Sequence, residues 1–159
     1  WIAQKLIDFL SSRQIKSALV NASGDIVVSD PPPGAAAWSI AINVPGEKEG
    51  LLSQTILLQN KSVTTSGDVF QFIEKDGKRY SHITNPATGY GVTSQRNVTV
   101  IADDGTAADW LATACSILPV KKAKKLVKMM HAEMLIAENK KDKINFYATK
   151  GFSRYWNRL

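Results

Sequence analysis

Residues 97–117 read NVTVIADDGTAADWLATACSI, and the two halves of this stretch have different periods. Residues 97–102 are β-branched and uncharged, the composition of a strand. Asp103, Asp104 and Gly105 punctuate the chain. A helix is expected from about 106 to 117, with Asp104 or Thr106 as its N-cap. Pro119 ends it. A second helix follows over 120–131, with Lys121, Lys122, Lys124, Lys125 and Lys128 on its surface and Val120, Leu126, Val127 and Met130 as its apolar stripe. Residues 133–137 and 144–148 then close as a hairpin around 140–142.

Upstream, residues 1–16 are expected to be helical, with Ile2, Leu6, Phe9 and Leu10 recurring at helical spacing. Residues 17–29 read as two short strands about a turn at 22–25. Asp30-Pro31-Pro32-Pro33-Gly34 is a stiff loop, because three prolines fix φ and donate no backbone hydrogen bond. Residues 38–44 alternate Trp38, Ile40, Ile42 and Val44 on one face, a half-buried strand. Residues 51–59 and 62–66 are expected to pair with each other. Residues 69–74 and 78–83 flank Lys75-Asp76-Gly77, and Asp-Gly is a strong hairpin signal. Strands in the first half, with helices at the start and late in the chain, make an α+β class. The sheet is expected to be mixed or antiparallel with packed helices, in a single domain over 1–159.

Composition narrows the function classes. The chain has 159 residues, 44% apolar and 21% charged, close to an ordinary globular domain and unlike a disordered chain. One cysteine excludes an intramolecular disulfide framework and a Cys-rich zinc site. No window reaches the ~18 apolar residues of a membrane helix. The chain opens at Trp1, without methionine and already inside a helical pattern, so a preceding segment is expected. Net charge is +6 but unevenly placed. Residues 1–120 carry 9 basic and 11 acidic side chains, and residues 121–159 carry 11 and 3. Such a region attracts nucleic acid, anionic membranes or phosphorylated ligands, or is simply a solvated helix face. Nucleic acid is not expected, because interleaved aromatics and a recognisable module are missing.

Four segments carry residue types that are costly for structure alone. Ala22-Ser23-Gly24-Asp25 reads first as a β-turn. Thr64-Thr65-Ser66-Gly67-Asp68 follows a strand, and its hydroxyls, glycine and carboxylate suit an anion nest, a polar pocket or an ordinary strand-end turn. Ser81-His82-Ile83-Thr84-Asn85-Pro86-Ala87-Thr88-Gly89-Tyr90 places one of only two histidines where a strand gives way to a loop. Imidazole is matched to proton transfer near neutral pH, and it also caps turns. His131, at the end of the lysine helix, reads as a surface residue favoured by the helix dipole. Ala107-Ala108-Asp109-Trp110-Leu111-Ala112-Thr113-Ala114 sets Asp109 and Thr113 four apart on one helix face. A carboxylate and a hydroxyl there suit a hard cation such as Mg²⁺, with other ligands completing the shell. Asp109 is equally a favourable residue near a helix N-terminus.

In this order the segments resemble the ApbE family of FAD:protein FMN transferases. Asn21-Ala22-Ser23-Gly24-Asp25 corresponds to that family's Gly-Gly-Asp turn, and Ser62-Val63-Thr64-Thr65-Ser66-Gly67-Asp68 to its S-x-x-T-S-G-D run. The Tyr80 to Gly89 run and Ala108-Asp109-Trp110-Leu111-Ala112-Thr113-Ala114 match the other two motifs. Ser23 stands in place of a glycine, which restricts the backbone if that position needs positive φ. Gly91 stands where members often carry proline.

The resemblance implies an ApbE-like, T-fold-related architecture, of which this chain is the C-terminal portion. It implies transfer of FMN from FAD to a threonine or serine hydroxyl of a target flavoprotein, with release of AMP and dependence on Mg²⁺. It assigns Asp109 and Thr113 as metal ligands and His82 with Asp109 as the catalytic pair. Thr65, Ser66 and Asp68 would line the flavin-phosphate pocket, with His82, Ile83, Asn85, Pro86, Thr88 and Gly89 shaping its wall. A non-catalytic FAD-binding protein on the same scaffold is the alternative. Family members hold FAD partly through an earlier segment, so this stretch alone is expected to bind FAD weakly. The family further implies a periplasmic or cell-envelope location, membrane contact only through a lipid anchor outside this chain, and leaves a dimer open.

Overall fold

The computed structural model describes all residues except 46–50, 68–70, 141–142 and 157–159. Its elements in order are α1 (Ile2–Ser12), β1 (Leu19–Ala22), β2 (Asp25–Val28), β3 (Trp38–Pro45), β4 (Leu51–Leu58), β5 (Lys61–Gly67), β6 (Phe72–Lys75), β7 (Lys78–Ser81), β8 (Gln95–Ala102), α2 (Gly105–Ile117), α3 (Val120–Met129), β9 (Glu133–Lys140) and β10 (Lys143–Ala148). A short 3-10 turn, Phe152–Tyr155, follows.

β8 has no charge from Asn97 onward because both of its faces are covered. It lies between β5 and β9 in a six-stranded antiparallel sheet ordered β1-β2-β5-β8-β9-β10. On one face, Val98, Val100, Ala102, Met134 and Ile136 bury against Leu111, Ala112 and Cys115 of α2 and Ala123 and Val127 of α3. On the other, Val28, Val63, Ile101 and Leu135 meet Ile40 and Ile42 of β3, Ile56 and Leu58 of β4, and Phe152. Each buried Leu or Ile side chain contributes about 1.5–3 kcal/mol.

Two polar devices fix the two ends of α2. The Asp104 side chain accepts from the Ala107 N–H at 2.9 Å and caps α2. The mostly buried Arg96 donates from Nε to Glu138 on β9 at 2.7 Å and from Nη1 to the Leu118 carbonyl at 2.9 Å. One guanidinium thus ties the β8–β9 pair to the end of α2.

Three expectations need correction. Residues 51–59 and 62–66 do not pair with each other: β4 pairs β3, whereas β5 pairs β2 and β8. The short link hides a change of layer. Asn60, at φ 49°, turns the chain out of the β3–β4 hairpin, and its side chain donates to Asp30 Oδ1 at 2.9 Å. The first helix stops at Ser12, because Gln14 adopts φ 65°. Its packed face is Ala3 and Ile7 against Val27, while Ile2, Leu6 and Phe9 stay 60%, 46% and 54% exposed. The lysine helix ends at Met129, and Met130 of the expected stripe lies exposed. The Val44 side chain and residues 141–142 of the last hairpin's turn lie outside the described residues.

β1 and β2 join through Ser23 at φ 56° and Gly24 at φ 101°, a tight turn that needs positive φ twice. The Asn21 carboxamide oxygen accepts the Gly24 N–H at 2.9 Å and holds it. A serine in this conformation costs roughly 1 kcal/mol. We expect Ser23→Gly to raise unfolding stability by about 0.5 kcal/mol, after the entropy a glycine loses on folding is subtracted. Chemical denaturation of both proteins measures it, and a lower midpoint would show that Ser23 is unstrained.

Candidate active site

The segment after β7 is built almost wholly from its own hydrogen bonds. Ser81 N–H donates to the Val92 carbonyl at 2.9 Å, Val92 N–H to Ile83 at 2.8 Å, and Asn85 N–H to Tyr90 at 2.8 Å. The tip turns on Asn85. Its carbonyl accepts from the Thr88 and Gly89 N–H groups at 3.1 and 2.9 Å, and its side chain accepts from Ala87 at 3.0 Å. Thr88 Oγ1 accepts from Tyr90 N–H at 3.3 Å. Asn85 and Thr88 therefore spend their side chains on shaping the loop. Ile83 is buried and anchors it, whereas Pro86 is exposed. Gly91 is required where it stands, since a Cβ there would lie 2.2 Å from the Ser81 carbonyl oxygen. That contact explains why proline does not suit this chain's loop.

His82 leaves the end of β7 exposed to solvent. Its N–H donates to the Gln71 carbonyl at 3.1 Å, and Nδ1 lies 3.1 Å from the same oxygen. A protonated Nδ1 donating there leaves Nε2 as the basic nitrogen. The β6–β7 hairpin, turned at Asp76 and Gly77 (φ 53° and 68°), stands beside it. Arg79 stacks 3.5 Å over the Phe72 ring and stiffens the hairpin.

Together these parts enclose a cleft of about 700 Å³, a size that holds a small molecule. The β6–β7 hairpin lines it with Phe72, Lys75 and Tyr80, and the segment after β7 with His82, Gly89 and Tyr90. Aromatic walls with a cation and a histidine suit a planar ring bearing phosphate. The structure brings His82 and Gly89 to this cleft. Sequence reading missed Phe72, Lys75, Tyr80 and Tyr90 as lining; Tyr80, which opens the matched run, and Tyr90, which adjoins its Thr88-Gly89 turn, carried a local signal.

The other candidates lie away from this hairpin, on α2 and on β5 of the six-stranded sheet. Asp109 and Thr113 share one flank of α2, beside the buried Ala108 and Ala112. Neither side chain enters a hydrogen bond or ion pair among the described residues, and no residue of α2 lines the cleft. No cluster of three His, Cys, Asp or Glu side chains occurs among the described residues. Two uncommitted oxygen donors of different type, four residues apart, nevertheless fit a hard cation whose remaining ligands are phosphate oxygens, water or backbone carbonyls. Thr65 and Ser66 point to opposite faces, as successive strand residues must. Thr65 pairs with Thr99, Oγ1 to Oγ1 at 2.8 Å. Ser66 lies opposite Val98, on the α2 side. Asp68 lies outside the described residues. Asp25 joins the helix side through its Oδ1, which accepts from Thr64 Oγ1 at 3.0 Å.

The ApbE family model matches residues 1–136. The chain belongs to the ApbE family. The FAD:protein FMN transferase of Treponema pallidum is 35% identical over 135 residues, which cover 77% of this chain and 36% of that protein. The FAD:protein FMN transferase of Vibrio cholerae is 27% identical over 98% of this chain and 47% of its own length. Among solved structures, the flavin transferase ApbE from Vibrio cholerae superposes with a TM-score of 0.85 at 26% identity, over 98% of this chain and 49% of that one. The apo form of the Pseudomonas stutzeri flavinyl transferase ApbE gives 0.81 at 28% identity, over 97% and 48%. This ApbE chain thus spans less than half the length of these relatives, and its α+β fold is theirs over that span.

Proposed function

We propose that the protein acts in FAD:protein FMN transfer, moving FMN from FAD to a threonine or serine hydroxyl of a target flavoprotein with release of AMP. The activity belongs to the complete fold that the relatives possess. The observation that carries the reading is the family match, with an uncommitted Asp109–Thr113 oxygen pair on α2 and a histidine-bearing cleft beside the β6–β7 hairpin.

Asp109 and Thr113 would hold Mg²⁺ by their side-chain oxygens. When bound, that cation supplies charge neutralisation to the pyrophosphate. The cleft's aromatic rings would orient the flavin, and Lys75 would attract its phosphate. His82 Nε2 would take the proton from the acceptor hydroxyl as its oxygen bonds to the FMN phosphorus. The bond from that phosphorus to the bridging oxygen breaks, and AMP leaves with it. The Gln71 carbonyl would hold the ring in the tautomer that this step needs. Ser66, on the α2 face of the sheet, would serve with Asp68 the phosphate end of the site, whereas Thr65 faces the other way. Gly89 would form part of the cleft wall, with Ile83, Asn85, Pro86 and Thr88 shaping the loop that carries it. A cell-envelope location accords with this reading.

The test uses the longest natural form of the protein, incubated with FAD, Mg²⁺ and an acceptor domain bearing threonine. Flavin fluorescence that persists on the acceptor band after denaturing electrophoresis, and vanishes with EDTA, is the expected result. Flavin that binds but is wholly extracted by denaturation would replace this reading with a non-catalytic FAD binder.

A further inference from the structure

We propose that α3 is a docking face for an anionic lipid bilayer. Its ten residues include Lys121, Lys122, Lys124, Lys125 and Lys128, all exposed. None of the five ammonium groups enters an ion pair among the described residues. No acidic residue occurs between Asp109 and Glu133, and Glu133 is held by Arg154 at 3.0 Å. The helix is anchored from behind by Ala123 and Val127, so its outer face is rigidly presented.

At 100° per residue the five lysines cover an arc of roughly 160°. Met129 falls inside that arc, between Lys125 and Lys122, and is 66% exposed; Met130 beside it is 43% exposed. An exposed thioether ringed by ammonium groups is what separates a bilayer from other polyanions. Lysine stems reach the headgroup charge while the apolar side chain enters the acyl boundary. A nucleic acid or an acidic protein would use the charges and leave the methionine in water. The use of lysine alone, with no arginine fork on the helix, suits a diffuse surface potential better than discrete bidentate phosphates.

The experiment is cosedimentation of the 159-residue protein with vesicles of phosphatidylcholine alone and of an equal mixture with phosphatidylglycerol. The expected result is binding to the mixed vesicles only, weakening steeply with salt. Replacing Lys121, Lys125 and Lys128 together by glutamine should lower vesicle affinity about 100-fold, at about fivefold for each charge near the surface. Met129→Ser should lower it severalfold and leave binding to a soluble polyanion, heparin, unchanged. Circular dichroism confirms that each variant folds. The proposal is overturned by binding to neutral vesicles of equal strength, by an unaffected triple variant, or by a Met129→Ser variant that binds vesicles as well as the parent. The last result would leave a surface that any polyanion satisfies, an acidic protein among them.

Discussion

Asp109→Asn is expected to reduce Mg²⁺-dependent FMN transfer to background, a loss of at least about 100-fold, since disturbing even the outer partners of a bound metal costs 10–100-fold. The substitution keeps the side chain's shape and removes the charge that a hard cation requires. Asp109 has no partner among the described residues, so folding should be nearly untouched, within about 0.5 kcal/mol. Thermal unfolding of both proteins checks that half of the statement. Titrating Mg²⁺ against the rate of covalent flavin labelling checks the other half, in the longest natural form of the protein. Thr113→Val should do less, because a neutral hydroxyl is the weaker ligand. Full activity in Asp109→Asn would remove α2 from the metal assignment altogether.

His82→Ala should slow transfer by roughly 10²–10⁴-fold, the usual contribution of a positioned general base. FAD affinity should change far less, because a neutral imidazole adds little to ground-state binding. His131 gives the matched control. It is exposed at φ 53° just past α3, well outside the cleft lining, and His131→Ala should leave turnover unchanged. Measuring turnover and FAD affinity for both variants separates a base from a turn residue. Equal, small effects from the two would mean that the proton is taken elsewhere.

The parts of the fold that the sequence declares are those set by local rules. The change of period after Ala102 places β8 and α2, Asp104, one of the two candidate N-caps, caps the helix, and Asp76-Gly77 turns its hairpin. What stays hidden depends on partners distant in sequence. β5 follows β4 after two residues, so proximity favours pairing them, yet the apolar faces of β3 and β4 must lie on the sheet rather than within it. α1 is apolar on two sides, and periodicity alone cannot choose between Ala3 and Ile7 on one and Ile2, Leu6 and Phe9 on the other. The small Ala3 allows close approach to Val27, which decides it. The candidate site divides in the same way. The His82 loop and the Asp109–Thr113 pair are visible as motifs. The contribution of Phe72 and Lys75 exists only once the hairpin stands beside that loop. The opposed directions of Thr65 and Ser66 were readable from the strand period alone.

The single thiol gives the protein an internal gauge of its own opening. Cys115 lies on the sheet side of α2 with no exposed surface, and burial pushes its pKa up to about 11. Near neutral pH only about one molecule in 10⁴ would carry a thiolate even if reagent could reach it. Alkylation in the native state must therefore wait for α2 to lift from β8, which breaches the main core. The labelling rate, followed by mass spectrometry at rising denaturant, reads the free energy of that breach directly. A cysteine placed on the exposed surface would meanwhile react at once and alone, so a dye can be attached to the β6–β7 hairpin without first removing the native thiol.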